Sequence, residues 1–340
     1  MKKKVAINGF GRIGRCAFRT FLEKGSEYID IVAVNGIKNP KDGLFNFVHD
    51  SIYGKFEGDI KLEEDFYIFK DQKVKIINER DLNKLPWDEL GIDIVIESTG
   101  KFTDKKSALK HIEAGAKKVL ISAPSKDVDI TIVMGVNENK YNSKKHNIIS
   151  NASCTTNCLA PLAKVLLDEY GVFTGEMTTI HSYTSNQNLL DAVNKNDLRR
   201  SRAAAMSLIP TTTGAAKAIK EVIPELDGKI DGMSVRVPTS AVSLVDLVVN
   251  LNKEVTKEEI NNLFKEKAEG ELKGVLGFSN EPLVSVDYIK DSRSSIIDGL
   301  STDAIEKTVK IISWYDNEWG YSNRLVQLAE YVASKQLYWQ

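Results

Sequence analysis

The sequence predicts an α/β protein of two domains: a parallel sheet with helices on its faces, then an α+β unit with a mostly antiparallel sheet. Three observations predict it. A chain of 340 residues, 42% hydrophobic and 27% charged, has ordinary globular composition and the length for two cores. Its first 135 residues alternate short apolar runs with helical patterns, as parallel strands joined by crossover helices do. Beyond residue 150 the texture changes to longer β-prone runs with fewer helices between them.

The elements follow in order. Residues 4–8 are a short β run ending in a glycine-rich turn. Ile13, Ala17 and Phe21, with Phe18 and Leu22, then recur at helical spacing, and Gly25 stands just past the end. Residues 31–34, 92–97, 119–122 and 131–134 read as further strands at intervals suited to crossovers. After a small, polar stretch at 151–157, Leu159, Leu162, Leu166 and Tyr170 mark a helix up to Gly171. Runs at 175–181, 233–237, 242–251 and 308–314 predict the second sheet, with a charged helix at 257–268. Residues 322–337 are amphipathic through Leu325, Leu328, Tyr331 and Val332, and periodicity alone assigns this helix to neither domain.

Composition narrows the function classes. Lys and Arg total 46 against 47 Asp and Glu, a net charge of −1, which removes the electrostatic case for a dedicated nucleic-acid or anionic-membrane partner. The longest uncharged stretch, 147–163, is broken by Ser, Thr, Asn and Pro161, so no bilayer span is expected. Lysines at 2–4 precede an apolar run that stops at Asn8, with Arg12 and Arg15 following, so no secretory h-region is expected. Cys16, Cys154 and Cys158 are too few for a disulfide framework, and Cys154-x3-Cys158 with an isolated His146 makes no zinc set. A cytoplasmic protein without a metal is the expectation.

Gly9-Phe10-Gly11-Arg12-Ile13-Gly14 is G-x-G-x-x-G directly after a strand and opening a helix. Gly9 allows the tight turn, Gly11 lets the backbone approach a pyrophosphate, and Gly14 lets the helix pack close to the strand. The pyrophosphate then meets the unpaired amides of the helix, which makes the first domain a Rossmann-type dinucleotide-binding domain. The acid expected at the end of the second strand, to hold the ribose hydroxyls of NAD, is missing: the chain reads Val34-Asn35-Gly36-Ile37-Lys38. Asp30 lies at the wrong end of that strand to replace it.

The second centre is Ser153-Cys154-Thr155-Thr156-Asn157-Cys158, with Cys154 where a helix begins. Helix amides and dipole favour a thiolate there, and His181, at the end of a β run, predicts a thiolate–imidazolium pair with the same ring as general base. A small buried Cys is the competing reading of Cys154, and Cys158 reads as core. Thr211-Thr212-Thr213-Gly214 ahead of an Ala-rich helix is a plausible phosphate seat. Arg236, inside a β run, is a charge on a strand unless a ligand meets it. Arg199, Arg200 and Arg202 form a basic cluster that reads equally as a solvated or a subunit-facing patch.

Taken together, these residues resemble the phosphorylating glyceraldehyde-3-phosphate dehydrogenase family, through residues 7–15, 50–56, 79–86, 97–103, 150–161, 181–184, 197–218, 232–238 and 314–324. The resemblance implies a nucleotide-binding domain at 1–151, a catalytic domain at 152–318, and a helix at 319–340 that returns to the first domain. It implies a homotetramer with the 183–202 loop near a neighbour's cofactor. It further implies that Cys154 attacks glyceraldehyde 3-phosphate while His181 takes the proton, that hydride passes to the cofactor leaving a thioester, and that inorganic phosphate releases 1,3-bisphosphoglycerate. By the same resemblance Ser153, Thr155, Thr184, Thr213, Gly214 and Arg236 hold the two phosphates. Gly9, Gly11, Arg12, Ile13, Gly14, Asn35, Gly36, Arg80, Ser122 and Asn317 line the cofactor, Asn317 on the nicotinamide carboxamide. Three departures stand out: Gly36 where the NAD-using members carry Asp, Ala192-Val193 in place of Leu-Pro, and Asn186 where Asp is common. The first two open the choice between NAD and NADP. An erythrose-4-phosphate dehydrogenase-like activity is the rival, set against by Thr184, Thr213 and Gly214; a secondary non-catalytic binding role is the alternative of another class, set against by Cys154 and His181.

Overall fold

The computed structural model describes residues 1–194 and 197–336. They form two compact units: residues 1–134, 138–152 and 322 onward in the first, 135–137 and 153–321 in the second.

The first unit is built on a nine-stranded sheet, in the order Ile130–Thr131, Ile148–Ser150, Lys118–Ile121, Ile94–Glu97, Lys3–Asn8, Ile29–Asn35, Gln72–Ile77, Phe66–Phe69, Ile60–Glu63. Pairing is parallel as far as Gln72–Ile77 and antiparallel for the last two strands. That antiparallel meander corrects the all-parallel expectation. Lys61, Glu63, Lys73 and Lys75 interrupt its apolar residues, so a half-exposed edge reads as polar chain. The expected strand at 131–134 is also shorter, ending at Thr131, although Ile132 and Val133 are buried. Lys3–Asn8 has its sequence neighbour Ile29–Asn35 on one side and Ile94–Glu97 on the other, so the strand order reverses at its carboxyl end, where ligands of such sheets bind. Val5, Ile7, Ile31, Val34, Ile94, Ile96 and Leu120 form the core with Phe18 and Phe21 of the helix Arg12–Lys24. Leu325, Leu328 and Val332 of the helix Trp319–Gln336 belong to that same core; Leu337 lies outside the described residues.

In the second unit an eight-stranded sheet runs Ile209–Thr212, Ile230–Val237, Val172–Ser182, Ser243–Leu251, Thr308–Tyr315, Ser295–Asp298, Leu276–Ser279, with Asp303–Ile305 also on Thr308–Tyr315. Most pairings are antiparallel; Val172–Ser182 with Ile230–Val237 and Leu276–Ser279 with Ser295–Asp298 are parallel. Alternate burial along Ser243–Leu251 fits a strand with one face packed. The helix Cys154–Tyr170 buries Cys158, Leu159, Leu162 and Leu166, which carries its amino end to the strand ends that bear His181 and Arg236.

Candidate active site

The nucleophile candidate is set by the start of a helix. Ala152 takes a left-handed φ of 55°, and the Ser153 hydroxyl then caps the helix by accepting from the Thr156 amide at 3.0 Å. Cys154 follows as the first helical residue and stays half-buried. His181 and Arg236 are direct partners across two parallel strands. This register puts the His181 Nε2 atom 3.5 Å from Cys154 Sγ, with Arg236 beside Nδ1 at 2.7 Å. Edge-on to the imidazole at 6.0 Å lies the Tyr315 ring, whose hydroxyl bridges the hydroxyls of Thr155 and Thr179 at 2.9 Å each.

Burial and charge act on the pair in different directions. Burial pushes the Cys154 thiol above its ordinary value, more than the Arg236 charge and the Thr155 hydroxyl and amide pull it down. Burial, then the Arg236 charge, lowers His181 to about 3. Burial thus works against both charged forms, and the Arg236 charge works for the thiolate and against the imidazolium.

The phosphate candidates divide. Arg236 is lowered by burial, and the charged groups acting on it are Cys154, Arg200 and Tyr315, with no carboxylate among them. Opposite Arg236 stands Ile209, while Thr212 faces Met233, so Thr213 and Gly214 lie past the far end of that strand. Two separate seats result, Arg236 near Cys154 and Thr213-Gly214 at the helix Ala215–Val222, whose cap Gly214 offers no side chain. Thr184 closes a turn with Gln187 and its hydroxyl has no partner among the described residues. Two further candidates have partners within the chain: the Ser153 hydroxyl caps the helix through Thr156, and the buried Thr155 hydroxyl meets that of Tyr315. Asn186 is exposed in the turn after Thr184, and nothing there distinguishes it from Asp.

Sequence reasoning missed four contributors. Arg200 donates from Nε to Thr211 Oγ1 at 3.0 Å, and its charge helps lower both His181 and Arg236. It was visible only as one of three clustered arginines; Arg202 instead pairs with Asp191 at the surface. Tyr315 carried no signal at all, being an aromatic in a β run. Ser182 and Ser243 likewise donate to Asn317 Oδ1 at 2.9 and 3.1 Å, which orients the amide nitrogen of this nearly buried residue as an unpartnered donor. That suits a carboxamide oxygen as ligand.

In the first unit the glycine motif is sterically enforced. A Cβ on Gly9, at φ 101°, would lie 2.5 Å from the Thr99 amide nitrogen, and one on Gly14 would lie 2.1 Å from the Gly9 carbonyl oxygen. Around Gly11, by contrast, nothing lies within 4 Å of a Cβ, and the helix it caps has no side chain on its first amides. An open cradle at a helix start that carries no side-chain cap fits a dinucleotide pyrophosphate. Arg12 is held by an ion pair with Asp50 and lies 5.4 Å over the Tyr53 ring, while Ile13 packs on the core. Burial raises the Asp50 carboxyl, but amides of Tyr53 and Ile52 and the Arg12 guanidinium outweigh it and hold it below its ordinary value. Arg80 is exposed, and Ser122 sits one residue past Lys118–Ile121 at the same carboxyl edge as Asn8. The buried side chain of Asn35 donates to Asn8 Oδ1 at 2.7 Å and Glu79 O at 2.8 Å, so it braces the strand ends. Gly36 is exposed at φ 99°, a Cβ there would meet nothing closer than 3.5 Å, and Lys38 beside it is exposed. A cleft of about 740 Å³ lined by Lys265, Lys273, Phe278 and Arg293 contains none of these residues.

A dinucleotide cradle in one unit and a Cys–His pair beside a buried arginine in the other are the parts of a nicotinamide-dependent oxidoreductase. Residues 3–105 match the family description "Glyceraldehyde 3-phosphate dehydrogenase, NAD binding domain" and residues 153–317 match "Glyceraldehyde 3-phosphate dehydrogenase, C-terminal domain". The chain is 56% identical over 338 residues to glyceraldehyde-3-phosphate dehydrogenase of Geobacillus stearothermophilus, covering 99% of this chain and 100% of that protein. It is 55% identical over 338 residues to the one from Priestia megaterium, with the same coverage, and 54% over 335 residues to glyceraldehyde-3-phosphate dehydrogenase 1 of Bacillus cereus, covering 98% and 99%. The chain belongs to the glyceraldehyde-3-phosphate dehydrogenase family, and it is an NAD-binding enzyme.

Proposed function

We propose that this chain oxidises glyceraldehyde 3-phosphate to 1,3-bisphosphoglycerate with inorganic phosphate, as a cytoplasmic homotetramer that accepts NADP as well as NAD. The observation that carries the reaction is the grouping of Cys154, His181 and Arg236 at hydrogen-bond distances on a helix start and two adjacent strands. Cys154 Sγ adds to the aldehyde carbonyl to form a hemithioacetal, and His181 accepts the proton. A dinucleotide held at the glycine motif would supply the hydride acceptor for oxidation of this adduct to a thioester, and Asn317, its oxygen pinned by Ser182 and Ser243, would offer its nitrogen to the carboxamide. Arg236 with Thr184 takes one phosphate, and Thr213 with Gly214 takes the other, so one seat holds the substrate while the second delivers the attacking phosphate. A sulfur nucleophile conserves the oxidation energy as a thioester, which water attack would release. Support for a reducing compartment comes from Cys16, Cys154 and Cys158, all free thiols.

NADP use rests on Gly36. An Asp there would accept from the ribose hydroxyls and repel a 2′-phosphate; the glycine does neither, and the exposed Lys38 two residues on can reach a phosphate. The test is aldehyde-dependent reduction of NAD and of NADP, each with and without phosphate or arsenate. NADP should work at least comparably to NAD, and both should require phosphate or arsenate. Gly36→Asp should move the ratio of the two kcat/KM values toward NAD by about tenfold, equivalent to about 1.4 kcal/mol. Because φ is 99° at this position, Gly36→Ala serves as the control for backbone strain alone. A hundredfold NAD preference in the unmodified protein overturns the cofactor reading, and equal rates without phosphate favour the erythrose-4-phosphate dehydrogenase-like reaction.

A further inference from the structure

Glu97 is a buried acid that the reaction does not use. It ends the strand Ile94–Glu97 beside Asn8, where the strand order reverses, and is 1% exposed. A buried carboxylate costs more than an apolar residue unless its acceptor positions are filled. Here they are. Oε2 accepts from Asn8 Nδ2 at 2.5 Å, with His111 Nε2 at 3.0 Å; Oε1 accepts from the Thr99 amide at 2.8 Å and from the Thr99 hydroxyl. The ring is fixed from behind by Trp87, whose Nε1 stands 3.0 Å from His111 Nδ1. An indole N–H can only donate, so Nδ1 accepts and Nε2 donates to Glu97. Trp87 and His111 are as buried as the carboxylate they support.

Both groups that Glu97 holds border the glycine turn. Asn8 precedes Gly9, and its Oδ1 accepts from Asn35, whose carbonyl oxygen takes the Gly9 amide at 3.0 Å. On the other flank a Cβ on Gly9 would lie 2.5 Å from the Thr99 amide nitrogen, and the Ser98 hydroxyl donates to the Gly9 carbonyl at 2.7 Å. In packing this tight, the turn moves when either flank moves. We propose that Glu97 is the positioning residue of the dinucleotide cradle: locked by His111 and Trp87, it holds Asn8 and Thr99 against Gly9 and shapes the turn before the ligand arrives. It acts without touching the ligand, because its acceptor positions are taken within the fold. The inference rests on the reading of residues 9–14 as the pyrophosphate seat. Glutamine has the shape of Glu97 but not its acceptors. Its amide nitrogen would face either the Thr99 N–H or the N–H groups of Asn8 and His111, so one flank is released.

The experiment is calorimetric titration with NAD, and separately with NADP, of the unmodified protein and of Glu97→Gln, Trp87→Phe and Leu120→Ala. Kd should rise about tenfold in Glu97→Gln and about threefold in Trp87→Phe, for both dinucleotides alike. Leu120 lies in the same core but outside the network, so Leu120→Ala should lower the melting temperature and leave Kd unchanged. In steady state the Glu97→Gln loss should fall on KM for the dinucleotide and not on kcat. An unchanged Kd in Glu97→Gln, or equal weakening in Leu120→Ala, overturns the proposal and leaves the network a purely structural role. If Glu97→Gln does not fold, Trp87→Phe decides in the same way. The ratio of NAD to NADP affinity tests Gly36 and can fail by itself. An unmodified protein that binds neither dinucleotide overturns the cradle, and this inference with it.

Discussion

Cys154 and Cys158 lie one turn apart on the same helix, yet their surroundings separate them. Cys158 is fully buried, its sulfur within 3.5–3.9 Å of Ser313 and Ser295, and burial pushes its thiol up to about 12. Cys154 opens the helix, only partly covered, with an imidazole and a guanidinium in reach. Iodoacetamide should label Cys154 in step with loss of dehydrogenase activity and leave Cys158 and the buried Cys16 unmodified. Peptide mapping decides it, and full activity with Cys154 stoichiometrically labelled would end the thioester mechanism. Replacing His181 by Asn should slow turnover about 10²–10⁴-fold, the range for a positioned acid–base group.

At the scale of elements, the strand Lys118–Ile121 is tied to the chain that follows it by a buried amine. Lys118 Nζ donates to His146 O at 3.1 Å and Asn147 Oδ1 at 2.7 Å, and burial lowers its pKa from the ordinary 10.5 to about 8. Between those values the unfolded chain binds this proton and the folded one does not, so raising pH favours folding. The melting temperature of the unmodified protein minus that of Lys118→Met should therefore grow from pH 8 to pH 10.5. Parallel curves would mean that the amine keeps its proton when folded. Orphaned acceptors in the variant add a nearly pH-independent loss of about 1–3 kcal/mol.

For the whole molecule, the loop after His181 and the turn before Ile209 expose Leu189, Leu190, Val193, Leu198, Met206 and Leu208, each at least 70% accessible. So much apolar surface within some twenty residues marks an interaction face. Self-association through this loop agrees with the proposed tetramer, in which Ala192 and Val193 approach a neighbour's ribose. Light scattering at micromolar concentration should give four times the 37.9 kDa chain mass, and Leu190→Glu with Leu198→Glu should lower it. A monomer in the unmodified protein would refute the assembly.

Local pattern was enough for much of this protein. The glycine motif declared its strand, turn and helix because steric demands at Gly9 and Gly14 act over a few residues. Cys154 and His181 were legible because one opens a helix and the other ends a strand, and both positions follow from nearby periodicity. The edge meander at 60–77 was not legible, since its strands gain their hydrogen bonds from a sheet that local pattern does not display. Nor was the contact of Arg236 with the imidazole: only the pairing of two strands 55 residues apart puts its guanidinium beside Nδ1. The bracing bonds of the Asn35 and Thr155 side chains were hidden for the same reason. Residue type and spacing determine which chemistry a chain can carry, while register and burial decide which atom faces which, and so which proton sits where.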